Sequence, residues 1–130
     1  MRTQSSLLSS MLLAPLLAFG PLAQAGDAET AFLAAEAGDY TTAMAQWNSL
    51  AEAGNPEAQF NLGLMYHSGL GGKINEYEAV RWYKKAAQNG YPKAQEFLAI
   101  AYREGWFGLA RDINKANYWQ SQLELELTLN

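Results

Sequence analysis

Cysteine is missing from all 130 residues, and histidine occurs once, at His67. Without cysteine there are no disulfides, so a small domain must be held by its core alone. A zinc site would need His67 together with several carboxylates, and none cluster around it at ligand spacing. Basic residues are scarce as well: nine Lys and Arg stand against thirteen Asp and Glu, a formal charge of −4. An acidic surface argues against nucleic acid or an anionic membrane face as the main partner, because both reward dense Lys and Arg. Long apolar runs are also lacking. The run from Leu7 to Phe19 is broken by Pro15 and falls short of the roughly 20 residues a spanning helix needs.

That run has a different use. Met1 and Arg2 form a short positive start, and Pro21 after the run leads to Ala23-Gln24-Ala25. This is the outline of a secretory signal peptide over residues 1–25, with small residues at −3 and −1 of a cut after Ala25. No cysteine is placed to carry a lipid, so no stable membrane anchor is expected after cleavage. The remaining chain, residues 26–130, carries eight basic residues against thirteen acidic ones, a charge of −5. About 105 residues can bury a usable single core. The expected location is a bacterial periplasm or the secreted space.

What the chain does have is helix punctuation. The Ala- and Glu-rich stretch 27–37 favours helix, and Gly38-Asp39-Tyr40 ends it. Asp39 can cap a second helix, whose Ala43, Trp47, Leu50 and Ala51 share one face. Gly54 closes that helix. Asn55-Pro56-Glu57 then supplies a capping residue, a proline at the first helical position and an acid at the positive helix end. Ala58, Leu62, Met65 and Tyr66 form the next apolar stripe, which stops within Ser68-Gly69-Leu70-Gly71-Gly72. Asn75 and Glu78 read as a capping box. The helix they open should bury Ala79, Tyr83, Ala86 and Ala87 and turn Arg81, Lys84, Lys85 and Gln88 to water, until Gly90 ends it.

The same grammar recurs. Pro92, Ala94, Gln95, Leu98 and Tyr102 follow Pro56, Ala58, Gln59, Leu62 and Tyr66 by 36 positions. After a loop one residue longer, Asp112, Ala116 and Trp119 follow Asn75, Ala79 and Trp82 by 37. Upstream, Asp39, Ala43, Trp47, Ala51 and Gly54 precede Asn75, Ala79, Tyr83, Ala87 and Gly90 by 36. A period in the thirties means stacked helix pairs. The fold class is all-α, a short solenoid: a shortened repeat at 27–54, a full one at 55–90 and a divergent one at 91–127. Small residues at Gly63 or Ala99 face Ala79 or Ala116 and let paired helices approach closely. The end is ambiguous. Leu123 to Leu129 alternates apolar and polar like a strand, while Trp119, Leu123 and Leu127 make a helical stripe; helix to about Leu125, then fraying, is the better fit.

Ala58, Leu62, Gly63, Tyr66 and Gly69, followed by Ala79, Trp82, Tyr83, Ala86, Ala87 and Gly90, resemble the Sel1-like repeat, a relative of the tetratricopeptide repeat. A looser copy runs through Ala94, Leu98, Tyr102, Gly105, Asp112, Lys115, Ala116 and Trp119, with Ala99 replacing the family glycine. The resemblance implies right-handed superhelical stacking and a scaffold or adaptor role in protein–protein contact. By analogy with the tetratricopeptide groove it also implies a concave face lined by first helices. Phe60, Leu64 and His67, then Glu96, Ile100 and Arg103, would point there, with Phe32 and Glu36 extending it. Such a mixture suits a peptide or partner helix. The competing reading makes Phe60, Leu64 and Ile100 plain inter-repeat core. Trp106 and Phe107, two costly aromatics in a loop, are a second candidate; Trp106 aligns with Leu70 and should plug the loop, leaving Phe107 exposed.

No catalytic residue, metal ligand or cofactor site is expected. His67 would have to serve any Ser–His–acid triad, there is no G-x-S-x-G, and a helix-end surface position suits it better. Glu76 with Glu78 and Glu124 with Glu126 fall on helix starts or solvated faces. Gly69-Leu70-Gly71-Gly72-Lys73 lacks phosphate-loop spacing and a preceding strand. The expectation is therefore an exported, non-enzymatic interaction module that binds a protein or peptide. The alternatives are a cell-wall hydrolase or ligand-binder, by analogy with cysteine-rich exported relatives, and weak self-association, since neither end has an obvious polar capping helix.

Overall fold

The computed structural model describes residues 27–130, and the expected signal segment lies outside the described residues. These form six helices and no strand: α1 (Ala28–Glu36), α2 (Tyr40–Glu52), α3 (Pro56–Ser68), α4 (Glu76–Gln88), α5 (Pro92–Glu104) and α6 (Ile113–Leu129). Asp27, Asp39, Asn55, Asn75 and Asp112 each accept a backbone N–H of the helix they open, a cap contributing about 1 kcal/mol apiece. α5 opens differently. Tyr91 occupies the position of Asn55 and makes no side-chain cap; its ring packs on Phe60 instead, centroids 5.3 Å apart.

Only half of the expected capping box forms. Asn75 Oδ1 accepts from Glu78 N–H at 3.1 Å, but the Glu78 carboxylate pairs with Arg81 at 2.8 Å. The reach-back has no target, because the Asn75 N–H already donates to Tyr66 O at 2.8 Å and ties the glycine loop to α3. Asp112 N–H repeats that tie to Tyr102 O, also at 2.8 Å.

Extensive contacts join successive helices, so the molecule is built along one direction. Two buried clusters alternate with the helix pairs. One gathers Ala43, Trp47, Ala51, Leu62, Met65 and Trp82, the other Tyr83, Ala87, Leu98, Tyr102, Ala116 and Trp119. Neighbouring residues on α4 thus serve different cores: Trp82 faces back and Tyr83 faces forward, both essentially buried. The predicted faces of α2, α3 and α4 are the buried ones, except that Leu50 and Tyr66 are only half-buried.

Gly63 is required by that packing. A Cβ there would lie 2.6 Å from Tyr83 Cε1 and 3.2 Å from Ala79 O. The next repeat carries Ala99 because its facing position, 37 residues after Tyr83, is Gln120 rather than an aromatic ring. Two buried glutamines stitch repeats together. Gln59 Nε2 donates to Ala51 O and Gln95 Nε2 to Ala87 O, each at 3.2 Å.

The chain's end is helical throughout, with α6 running to Leu129. The strand alternative fails because α6 packs on α5 and no strand edge exists among the described residues to pair with. Helix also continues past Leu125, the point where fraying was expected. On α6 two positions change from apolar to polar, although Tyr118, Leu125 and Leu127 of the same helix stay exposed. Tyr83 and Ala87 on α4 receive α5, whereas their counterparts Gln120 and Glu124 bond each other at 3.2 Å and stay accessible.

Candidate interaction surface

The first helix of each pair, α3 or α5, turns one side away from the cores described above. On α3, Leu64 is 42% exposed. On α5, Glu96 is exposed while Ile100 and Arg103 are half-buried. Phe60 does not join this surface. Its ring sits 5.4 Å from Tyr83 and 5.3 Å from Tyr91, which makes it inter-repeat packing. The large ring, set between α4 and the residue that opens α5, gains more by burial than by exposure. On α1, Phe32 lies edge-on to Trp47 at 4.6 Å and remains 44% exposed, with Glu36 exposed beside it.

His67 departs from the surface reading. It is half-buried, its Nδ1 lies 3.4 Å from the Tyr83 hydroxyl, and its ring meets Phe107 edge-on at 4.4 Å. Burial pushes the Tyr83 hydroxyl well above the usual tyrosine range, so it stays protonated and serves as a structural partner. Tyr91 is raised too, by burial and then by the nearby charge of Glu57. Among the described residues no carboxylate bonds to His67, so the pair lacks there the third member that orients a catalytic base. No group of three or more His, Cys, Asp or Glu suited to a metal occurs among the described residues.

The loop aromatics exchange their expected roles. Trp106 is 48% exposed, whereas Phe107 is tucked against His67 and, at 5.1 Å, against Phe97. Phe107 is the one non-glycine described residue with positive φ, at 56°. That left-handed turn is uncommon outside glycine and swings the ring inward. Phe97, which also stacks on Tyr83 at 4.2 Å, was not legible as a hub. Its counterpart in the preceding repeat is Asn61, so the repeat pattern gave no warning.

The structure therefore joins Phe60, His67 and Phe107 into one aromatic seam through Tyr83 and Phe97, leaves Leu64 and Glu96 exposed, and keeps Ile100 and Arg103 half-buried outside that seam. Phe32 and Glu36 belong to α1 and its contact with α2. A family model for the Sel1 repeat matches residues 56–91 and again 92–119. The chain belongs to the Sel1 repeat family. Residues 27–55 lie outside the match, although they also fold as a helix pair.

Relatives of this Sel1 repeat protein span kingdoms. It is 37% identical over 83 residues to an uncharacterized protein of Neisseria meningitidis serogroup B, across 58% of this chain and 18% of that one. It is 36% identical over 56 residues to the ERAD-associated E3 ubiquitin-protein ligase component HRD3A of Arabidopsis thaliana, across 42% of this chain and 8% of that one. The chain thus spans less than a fifth of either relative. Among solved structures it superimposes on a Sel1 repeat protein from Oxalobacter formigenes with a TM-score of 0.60, 32% identity and coverage of 66% and 65%. A protective antigen present in uropathogenic Escherichia coli strains, displaying an SLR fold, gives a TM-score of 0.61, 38% identity and coverage of 67% and 18%. Sel1 repeats as a family generally serve protein–protein interaction rather than catalysis.

Proposed function

We propose that this Sel1 repeat protein is an exported, non-enzymatic adaptor that holds a segment of a partner protein on the open face of its first helices. One observation carries the reading: Leu64 stays exposed on α3, and its counterpart 36 residues on, Ile100 of α5, is half-buried together with Arg103, while Phe60 and Phe107 are packed against other rings. Aliphatic, cationic and acidic side chains on the first helices of two successive repeats suit an extended or helical peptide. The signal-like composition of residues 1–25 supports action in a periplasm or outside the cell.

Photo-cross-linkers placed singly at Leu64, Ile100 and Arg103 test this, with Gln88 on the outer side of α4 as the control. A shared protein adduct from the three face positions is expected, with none from Gln88. Adducts from Gln88 alone would reject the face, and retention of the precursor's full mass in exporting cells would reject export.

A further inference from the structure

A cleft of about 480 Å³ lies between α4 and the loop that precedes α6. It is separate from the first-helix face. Tyr77 and Val80 of α4 form one wall, Phe107 and Leu109 of the loop form the other, and Arg81 and Lys84 line it as cations. Tyr77 is 77% exposed, an aromatic ring left in water at the edge of an apolar hollow. Such rings at cleft edges mark binding surfaces more often than stability.

The charge here runs against that of the whole protein. The chain carries −4, yet five of its nine Lys and Arg (Arg81, Lys84, Lys85, Arg111 and Lys115) lie on α4 or around the start of α6. Arg81 is tied to Glu78 and Lys115 to Asp112. Lys84 has no ion pair among the described residues; its Nζ stands 5.9 Å from the Tyr102 ring, which Lys115 approaches from 5.3 Å. Glu76 is the one carboxylate among the lining residues. A half-buried ammonium outside any ion pair, over an apolar floor and in a lining with two cations to one carboxylate, is complementary to an anion carried on an apolar chain.

Phe107 supplies the second half of the geometry. Its positive φ turns the ring inward, where His67 and Phe97 brace it. The ring that forms this wall is thus already packed in place, and a wall that need not reorganise on binding lowers the entropic cost of association. We propose that this cleft docks an acidic segment of a partner protein, an aliphatic side chain seated on Val80, Phe107 and Leu109 and flanking carboxylates on Arg81 and Lys84.

A fluorescein-labelled peptide with a Glu-Leu-Glu-Leu core is the probe, compared with the same peptide carrying Gln for Glu. In anisotropy titrations of the full protein the acidic peptide should bind about tenfold tighter than its Gln counterpart and weaken as salt rises. The double variant Arg81→Ala with Lys84→Ala should lose that advantage while keeping its thermal melting curve. Backbone amide shifts should appear at Tyr77, Val80 and Gly108, and Leu64→Glu on the first-helix face should leave the titration unchanged. Equal binding of the two peptides, undiminished binding by the double variant, or shifts centred on Leu64 and Ile100 would each overturn the proposal.

Discussion

Single residues in this protein are chosen by what faces them across a helix contact. Gly63 exists because Tyr83 fills the space a Cβ would take, and Ala99 is tolerated one repeat later because Gln120 replaces that ring. Gly63→Ala should therefore destabilise by about 1–3 kcal/mol despite the better helix propensity of alanine. In a Tyr83→Gln background the same change should become neutral or stabilising, which a double-mutant cycle on thermal or urea unfolding would show. An equal penalty in both backgrounds would place the clash on the Ala79 carbonyl instead.

At the scale of the helix, repeats differ most at their C-terminal ends. Asn89, the C-cap of α4, donates from Nδ2 to Gln59 Oε1 at 2.9 Å. The equivalent oxygen, Gln95 Oε1, is buried without a partner, and the residue 37 positions after Asn89 is Glu126. A carboxylate cannot donate where the amide did. The side chain is close at hand, since its Oε1 lies 2.9 Å from the point a Cβ on Gly90 would occupy. Glu126→Gln restores a donor of the same shape and should raise stability by about 1 kcal/mol. The check is a urea midpoint shifted upward with an unchanged slope, and a fall in midpoint would show that the donor does not reach Gln95. The same comparison explains α5, where Tyr91 gives up a cap and gains the Phe60 contact.

For the whole molecule, the question is what α6 presents beyond its contact with α5. Each repeat presents an apolar face to the next, and α4 does so with Tyr83 and Ala87. α6 offers Gln120 and Glu124 at those positions, hydrogen-bonded to one another. Burying that pair beneath a further helix would desolvate a carboxylate without a cation to meet it. The protein should therefore be monomeric at micromolar concentration by light scattering. The double variant Gln120→Tyr with Glu124→Ala, which rebuilds the α4 pattern on α6, should associate. A wild-type dimer, or a variant that stays monomeric, would show that this face does not control assembly.

Much of this was legible before any coordinates. The 36- and 37-residue periods, the Asx caps and the glycine stops determined six helices and their buried faces, because those signals are local and repeat. The fold class followed from them, as did the Gly63–Ala79 approach. The tertiary structure alone decided which candidate residues are packed and which stay exposed. Whether Phe60 is groove or core depends on Tyr83 and Tyr91, which are 23 and 31 positions away in sequence. Whether Trp106 or Phe107 turns inward depends on one positive φ and on His67 and Phe97 standing ready to receive the ring. Exposure is set by neighbours from other repeats, and no periodicity within a helix encodes it. The stretch from Leu123 to Leu129 shows the same limit: its alternation suited either structure, and packing on α5 made it helix.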